Sequence, residues 1–147
     1  MEPQINIVTL GVSDIEAMRE WYQSKFRWAP SRNLDGTISF RLTNMVLILA
    51  QEKKLARKLF VWHDWKGFKR TVLTIGFNTE KQLDDAFREL ENNEVLIIRH
   101  PEKTADGAYK AYVADPEDNF WELAWYPFVE MDCPGSNFPL PESVFQS

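Results

Sequence analysis

The sequence is poor in the residues that build disulfides and metal sites. Its 147 residues include a single cysteine, Cys133, and only two histidines, His63 and His100. A single cysteine cannot form an intramolecular disulfide or a thiolate metal cluster. Two histidines count against His-rich metal sites and crowded proton relays. We expect His100 to be an exposed loop residue and His63 to lie in ordinary packing or at the surface.

Long apolar runs and an excess of positive charge are also lacking. The longest uncharged apolar run, residues 45–50, has six residues, whereas a membrane-spanning helix needs roughly 20. A leader of the signal-peptide type is not recognisable. The formal net charge is −5 at pH 7, which disfavours nucleic acid and anionic membranes as partners. We therefore expect a cytoplasmic protein with neither kind of partner.

The composition suits one globular domain. Hydrophobic residues make up 44% of the chain and charged residues 27%, which supports one core but not two ordinary domains. We expect this domain to span residues 1–127. In residues 128–147, Pro134, Pro139 and Pro141 exclude regular structure. This segment is interpreted as a proline-rich C-terminal tail.

The first half of the chain predicts a strand, a helix and a hairpin. Residues 5–12 are rich in β-branched side chains, which favour a strand. Ser13 and Glu16 form a capping box at which a helix is expected to begin. The apolar face of that helix comprises Ile15, Met18, Tyr22 and Phe26. Two short apolar runs, residues 37–42 and 45–50, then predict a pair of hairpin strands.

The second half repeats this plan. Residues 72–77 predict a strand, and Thr79 with Gln82 forms a second capping box. The apolar face of the helix that follows comprises Leu83, Ala86, Phe87 and Leu90. Three further strand-like runs, separated by turn residues, are residues 95–98, 109–113 and 120–126. Both halves therefore begin with a strand and a helix and continue with short strands.

A shift of 65 residues, the distance from Thr9 to Thr74, superimposes the two halves. It aligns strand end, glycine and helix face together, which indicates an internal repeat. We expect an α+β fold of two βαβββ modules, residues 4–50 and 70–127, joined by a linker, residues 51–69. Each module has a sheet with a helix on one face, so the two free faces are expected to form a half-barrel cup.

The linker is strongly basic. Residues 51–70 carry seven basic and two acidic side chains, a local charge of +5, although the whole chain is acidic. Residues 52–65 predict a short helix with Leu55, Leu59 and Trp62 on its apolar face. Two interpretations remain open: a connector helix with a solvated basic face, or a basic rim that attracts an anionic ligand into the cup.

Glu122 is the candidate functional carboxylate. In the last strand Phe120, Glu122 and Ala124 alternate with Trp121, Leu123 and Trp125. The second set is the larger apolar one and belongs under the helix, so Glu122 should point into the cup. Burial there raises a carboxyl pKa unless a donor such as Thr9 or Thr74 satisfies it. Glu122 is then a structural carboxylate, a ligand contact or a general base.

The segment that holds Glu122 resembles a known superfamily. Residues 112–125 combine an aspartate-proline turn, Asp115-Pro116, with a strand that contains Trp121-Glu122. Together with the paired modules, this segment resembles the vicinal oxygen chelate superfamily of glyoxalases, bleomycin-resistance proteins and extradiol dioxygenases. The resemblance covers about residues 4–127 and implies the glyoxalase-like fold.

The resemblance also implies where a metal would bind in the enzymes of this superfamily. One side chain from the first and one from the last strand of each module hold a divalent ion. By position these are Ile7, Leu47 or Leu49, Val72 or Leu73, and Glu122. Only Glu122 can bind a metal, and one carboxylate cannot supply the three or four ligands of a catalytic ion. We therefore expect no catalytic metal and no other cofactor.

The resemblance and the apolar positions together predict a homodimer that binds a small, partly aromatic molecule. The residues expected to contact this ligand are Ile7, Thr9, Trp62, Val72, Thr74, Tyr112 and Phe120. The alternative is an enzyme of the lactoylglutathione-lyase, isomerase or dioxygenase type that uses Glu122 as metal ligand or general base. A third possibility implied by the resemblance is an antibiotic-sequestering protein.

Overall fold

The structure, a computed structural model, describes residues 5–61 and 67–127. The chain divides into two compact units, and the boundary between them lies between Phe68 and Lys69. Each unit holds one four-stranded mixed sheet. The predictions made for Trp62, His63 and the C-terminal tail fall outside the described residues.

The described residues of the first unit form four strands, two α-helices and a π-helical turn. In chain order these are β1 (Ile7–Val12), α1 (Ile15–Trp21), the π-helical turn Tyr22–Phe26, β2 (Pro30–Arg32), β3 (Ile38–Arg41), β4 (Val46–Gln51) and α2 (Glu52–Leu59). The strand order in the sheet is β1-β4-β3-β2. The pair β1–β4 is parallel, and the other two pairs are antiparallel.

The core of the first unit lies between its sheet and α1 with the π-helical turn. Met18 and Tyr22 from these helical segments are 1% and 0% exposed. The ring of Tyr22 lies 5.8 Å from the ring of Phe40 in β3. Phe40 is the register partner of Leu47 in β4, so both side chains lie on the helix side of the sheet.

The start of α1 differs from the prediction. Asp14 is the N-cap, and its carboxylate accepts a hydrogen bond from the Ala17 backbone N–H at 3.0 Å. The predicted cap, Ser13, instead donates its hydroxyl to Glu52 in α2 at 2.9 Å. The capping-box prediction was therefore wrong, because a contact between residues distant in sequence engages the Ser13 hydroxyl and leaves the cap to its neighbour.

Helix α2 is shorter than predicted. It ends at Leu59, because Phe60 adopts the left-handed conformation with φ = 56°, which stops the helical hydrogen-bond ladder. Leu59 is 58% exposed, so its predicted place on the packed face is wrong. Leu55 does pack: a Cβ built on Gly11 would lie 3.3 Å from its side chain.

Among the described strands, the short strand β2, which was not predicted from the sequence, lies at the edge of the sheet and pairs with β3 alone. Its three residues begin with Pro30. A proline lacks the backbone N–H that a central strand needs, but it is tolerated in an edge strand. The missed strand completes the βαβββ plan of the first module.

The second unit repeats that plan. Its elements are β5 (Val72–Phe77), α3 (Glu80–Asn92), β6 (Leu96–Lys103), β7 (Tyr109–Ala114) and β8 (Phe120–Trp125). The strand order, β5-β8-β7-β6, matches that of the first sheet, and β5 is parallel to β8. The predicted α+β architecture of two βαβββ modules is therefore confirmed.

Helix α3 begins where the sequence analysis placed it. Thr79 is the N-cap, and its hydroxyl accepts a hydrogen bond from the Gln82 backbone N–H at 3.1 Å. Three of the four predicted apolar positions, Leu83, Phe87 and Leu90, are buried. Among the described helices, none is long and apolar enough to cross a membrane.

Candidate functional site

The sheet of the second unit has one face under α3 and one face away from it. On the α3 side, Tyr109 donates its hydroxyl to Asp84 of α3 at 2.7 Å. Trp125, the register partner of Tyr109, donates its indole N–H to the Asn78 carbonyl oxygen just before α3. Side chains alternate along a strand, so Glu122 lies on the opposite face, which we call the open face.

On the open face, Glu122 lies at the centre of a hydrogen-bonded group. Its Oε1 accepts hydrogen bonds from the hydroxyls of Thr74 at 3.1 Å and Tyr126 at 3.4 Å. Its Oε2 accepts the hydroxyl of Tyr112 at 2.6 Å. The ammonium group of Lys110 lies 3.8 Å from the same oxygen. We call these five residues the Glu122 cluster.

The register of the sheet positions these groups. Thr74 in β5 and Tyr112 in β7 are the two direct partners of Glu122 in β8. Direct partners on neighbouring strands point to the same side of a sheet, so the three side chains meet on one face. Only 8% of Glu122 is exposed. The carboxylate therefore joins three strands through hydrogen bonds from its own neighbours.

Lys110 supplies the positive charge of the cluster. Burial alone would lower its pKa, but the hydrogen bond with Tyr126 and the charge of Glu122 outweigh burial, so the pKa of Lys110 is raised. Its ammonium group also lies 5.0 Å from the centre of the Tyr126 ring, within the range of a cation–π contact. Lys110 therefore keeps its proton at neutral pH.

Tyr112 also keeps its proton. Burial, together with the hydrogen bond to Glu122, raises the pKa of the Tyr112 phenol well above its ordinary value. A phenol in this state donates to the carboxylate and does not compete with it for protons. The cluster can thus hold the carboxylate in one orientation, and a ligand that reaches it must displace a protein donor.

The structure brings together two of the predicted site residues around Glu122, namely Thr74 and Tyr112. Thr74 is one of the two donors that the sequence analysis named as able to satisfy the carboxylate. Lys110 and Tyr126 were missed, although Lys110 stands two residues before Tyr112 and therefore shares its face. That spacing was a usable signal. Tyr126 carried one too, because it stands four residues after Glu122 in the predicted run 120–126 and so shares its face, although β8 itself ends at Trp125.

The other predicted residues of the second unit form an apolar strip beside the cluster. Val72 is the register partner of Phe120, and Phe120 is in turn the partner of Ala114. Val72 is 45% exposed on this face, and Phe120 is half-buried. Leu96, which pairs with Ala114 at the far side, is 59% exposed. The open face therefore presents apolar area next to a polar group.

The open face of the first unit is apolar at the corresponding positions. Ile7 is 55% exposed, and Thr9 is the register partner of Ile48. Among the described residues of this face, hydroxyl and aliphatic side chains line the centre of the β1–β4 pair. Unlike the second unit, this centre holds no carboxylate.

A cavity of about 510 Å³ lies over this face of the first unit. Thr9 and Ile48 form part of its floor, and Leu55 of α2 forms part of its wall. Lys54 and Lys58, also from α2, line it as well. Two basic residues of the linker therefore border this cavity, and both interpretations of the basic linker stay predictions.

The family comparison is consistent with this architecture. The model of the Glyoxalase/Bleomycin resistance protein/Dioxygenase superfamily matches residues 4–123. The chain belongs to this superfamily. A comparison with curated proteins found no match.

Solved structures of the superfamily share the fold of this chain. A glyoxalase-related enzyme from Fulvimarina pelagi has 24% identity and a TM-score of 0.77, with 90% of this chain and 96% of that one covered. A glyoxalase/bleomycin resistance protein/dioxygenase from Nocardioides has 20% identity and a TM-score of 0.76, covering 93% and 91%. Lactoylglutathione lyase from Agrobacterium tumefaciens has 19% identity and a TM-score of 0.70, covering 86% and 96%.

One superfamily position was assigned to the wrong residues. Leu47 and Leu49 are 1% and 0% exposed and lie on the helix side of their sheet. Ile48 pairs with Thr9 in the way that Glu122 pairs with Thr74, so Ile48 occupies the position in the first module that corresponds to Glu122. The residue at this position is therefore still aliphatic, as the sequence predicted.

The residues at the superfamily's metal positions do not fit a divalent ion. Ile7, Ile48 and Val72 carry no donor atom, and both oxygens of Glu122 already accept hydrogen bonds from protein hydroxyls. In the part of the chain that the structure describes, no group of three or more His, Cys, Asp or Glu side chains could hold a metal. A catalytic ion needs at least three protein ligands.

His100 lies away from the open face. It is exposed, as predicted, but it is part of β6, which extends to Lys103, and not of a loop. The reason is that the strand continues through Pro101 with irregular register, which an edge strand allows. Its ring packs against Phe87 of α3 with 5.4 Å between centroids, and its Nε2 lies 3.3 Å from Glu91.

Proposed function

We propose that this superfamily member binds a small, partly aromatic molecule on the open faces of its modules and does so without a catalytic metal. The single observation that carries the proposal is the state of Glu122. Its two oxygens accept hydrogen bonds from Thr74, Tyr112 and Tyr126. Neutral hydroxyls and one ammonium group thus surround the carboxylate where a metal would need free lone pairs.

The surroundings of the cluster support the ligand-binding part of the proposal. Pockets for small molecules are mostly apolar and contain a few well-placed polar groups. The open face of the second unit combines exposed Val72 with half-buried Phe120 and the Glu122 cluster. Ile7 and Thr9 supply apolar and hydroxyl groups on the first unit's face. These residues are the proposed ligand contacts.

The metal part is tested by elemental analysis of the purified full chain. The protein is equilibrated with Zn²⁺, Mn²⁺, Fe²⁺ or Ni²⁺, freed of unbound ion and analysed beside Glu122→Gln. We expect far less than one ion per chain in both proteins. A stoichiometric ion that the Gln variant loses would overturn the proposal. An ion that the variant retains lies at another site.

A second candidate is a metal-free enzyme in which Glu122 acts as general base. The observation that favours it is the fixed position of the Glu122 carboxylate on the open face, where the 2.6 Å hydrogen bond from Tyr112 holds it in one orientation, as a general base must be positioned. The lactoylglutathione lyase with the same fold supplies the first substrate class to try. Turnover of a hemithioacetal that disappears in Glu122→Gln but persists after chelation would establish this activity, and absence of turnover would count against it.

The remaining predictions concern the ligand and the assembly. Sequestration of an antibiotic is tested by thermal stabilisation with bleomycin, since a ligand that binds only the folded state raises the melting temperature. Dimerisation is tested by sedimentation of the full chain. A cytoplasmic location stays a prediction from composition.

A further inference from the structure

We infer that the cavity of the first unit selects a monoanionic ligand with a compact apolar body, such as an aromatic carboxylate or sulfonate. The inference rests on the proposed ligand-binding function and adds the charge of the ligand to it. Its basis is one cavity of about 510 Å³ that is lined both by Lys54 and Lys58 and by an apolar floor. Pockets for small organic molecules have volumes of roughly 300–1,000 Å³.

Both lysines come from one face of α2. They are four residues apart, a spacing that places two side chains on the same side of a helix. Lys53 and Arg57 have the same spacing on the same helix but do not line the cavity. The basic charge of α2 is thus divided between two pairs, of which only Lys54 and Lys58 border the cavity.

Asp35 offsets part of the positive charge of the cavity and so limits the negative charge of a ligand that binds there. It lies in the turn before β3 and also lines the cavity. Its carboxylate accepts the Thr37 hydroxyl at 2.6 Å and the Thr37 backbone N–H at 3.0 Å. These hydrogen bonds hold its pKa below the ordinary value, with a smaller contribution from Lys58, so it is ionised at neutral pH. Two cations and one anion leave a net charge of +1, which matches a monoanion better than a dianion.

The apolar part of the lining accounts for the apolar body of the ligand. Ile48 and Thr9 from the sheet, Ile15 from α1 and Leu55 from α2 all border the cavity. An apolar body gains from leaving water at such a surface, while the ammonium groups hold an anionic substituent at the rim. A ligand that has an apolar body and an anionic substituent can contact the apolar side chains with one part and the ammonium groups with the other.

The test uses two fluorescent probes and charge variants of the full chain. The probes are 8-anilinonaphthalene-1-sulfonate and N-phenyl-1-naphthylamine, which has the same rings without the sulfonate. In 0.15 M salt we expect the double variant Lys54→Gln, Lys58→Gln to raise the Kd of the sulfonate about tenfold, the loss of two exposed ion pairs. The Kd of the neutral probe should stay the same. Thr9→Trp, which fills the floor, should abolish binding of both probes.

Two further variants make the result specific. Asp35→Asn removes the opposing charge and should lower the Kd of the sulfonate about threefold. The matched control Lys53→Gln, Arg57→Gln removes the same charge from the same helix outside the cavity and should leave the Kd within about twofold.

The outcomes separate this inference from the function beneath it. If both double variants weaken the sulfonate equally, or if Asp35→Asn does not tighten it, the inference is overturned. It is also overturned if the neutral probe binds, Thr9→Trp abolishes that binding, and the lysine variants change nothing; ligand binding itself then stands. If neither probe binds the wild-type chain, the proposed function fails at this face and the inference fails with it.

Discussion

Tyr112 donates its phenolic O–H to Oε2 of Glu122 over 2.6 Å, and the two residues are direct register partners across β7 and β8. The hydrogen bond therefore runs along the sheet between two neighbouring strands. The Tyr112 phenol and the Glu122 carboxylate are thus hydrogen-bond partners of each other. They lie on the face where the superfamily pattern places a metal ligand.

The first prediction concerns the energetic coupling of this pair. Tyr112→Phe removes one hydrogen bond to a charged group and should lower the free energy of unfolding by about 1–2 kcal/mol. Glu122→Gln also leaves Lys110 without its charged neighbour and should cost about 2–4 kcal/mol. Urea unfolding at pH 7 measures both. The exposed Glu20→Gln is the control and should cost less than about 0.5 kcal/mol.

The double variant tests whether Tyr112 and Glu122 act together. Residues that share a hydrogen bond have non-additive effects, so Tyr112→Phe with Glu122→Gln should cost less than the sum of the single variants. Strictly additive costs would show that the two side chains do not interact in solution, and the account of the Glu122 cluster would be wrong.

The second prediction is a pH dependence carried by Tyr109. The hydrogen bond to Asp84, together with burial, raises the pKa of Tyr109 to about 12, whereas an unfolded tyrosine titrates near pH 10. The folded state holds this proton longer, so its stabilising contribution is complete below about pH 10 and is lost as the pH rises towards about 12.

Tyr109→Phe removes that contribution and supplies the measurement. The difference in unfolding free energy between wild type and variant should be constant from about pH 8 to about pH 9.5 and should shrink above about pH 10. Urea unfolding at several pH values follows it. A difference that stays constant up to the highest accessible pH would contradict the Tyr109–Asp84 hydrogen bond.

The third prediction concerns the close approach of α2 to β1. A Cβ on Gly11 would lie 3.3 Å from a methyl group of Leu55 and 3.5 Å from the backbone of Glu52. Gly11→Val should therefore overpack the contact and cost about 1–3 kcal/mol. Adding Leu55→Ala should recover part of this loss, since it removes the nearest atoms. If the double variant is as unstable as the two losses combined, α2 does not pack on Gly11.

The fourth prediction compares two leucines of different burial. Leu83 in α3 is fully buried, whereas Leu59 at the end of α2 is 58% exposed. Leu83→Ala should cost about 2–5 kcal/mol, and Leu59→Ala less than about 0.5 kcal/mol. Thermal and urea unfolding measure both. A large loss at Leu59 would mean that this side chain is covered in the folded protein.

Local sequence patterns were sufficient for most elements. The β-branched run of residues 72–77 forms β5 with the predicted bounds, and β1 stands at the same 65-residue spacing. The cap at Thr79 and the buried face of α3 also follow from residues within a few positions of each other. Such features depend on backbone preferences and side-chain periodicity, which the sequence contains directly.

Choices between neighbouring residues could not be made in this way. Ser13 and Asp14 are both good caps, and the contact of Ser13 with Glu52, 39 residues away, leaves the cap to Asp14. Leu47 and Ile48 are both aliphatic, and a shift of one residue moves a strand side chain to the other face. Register against β1 and β3, which no local pattern specifies, puts Ile48 on the open face.

The sequence by itself determined the repeated βαβββ plan and the face on which Glu122 lies, because strand alternation and helix periodicity are local properties. Only the tertiary structure decided what surrounds Glu122 and that Lys54 and Lys58 border a cavity. The physical reason is that these contacts join residues far apart in the chain, and their distances depend on strand register and helix packing.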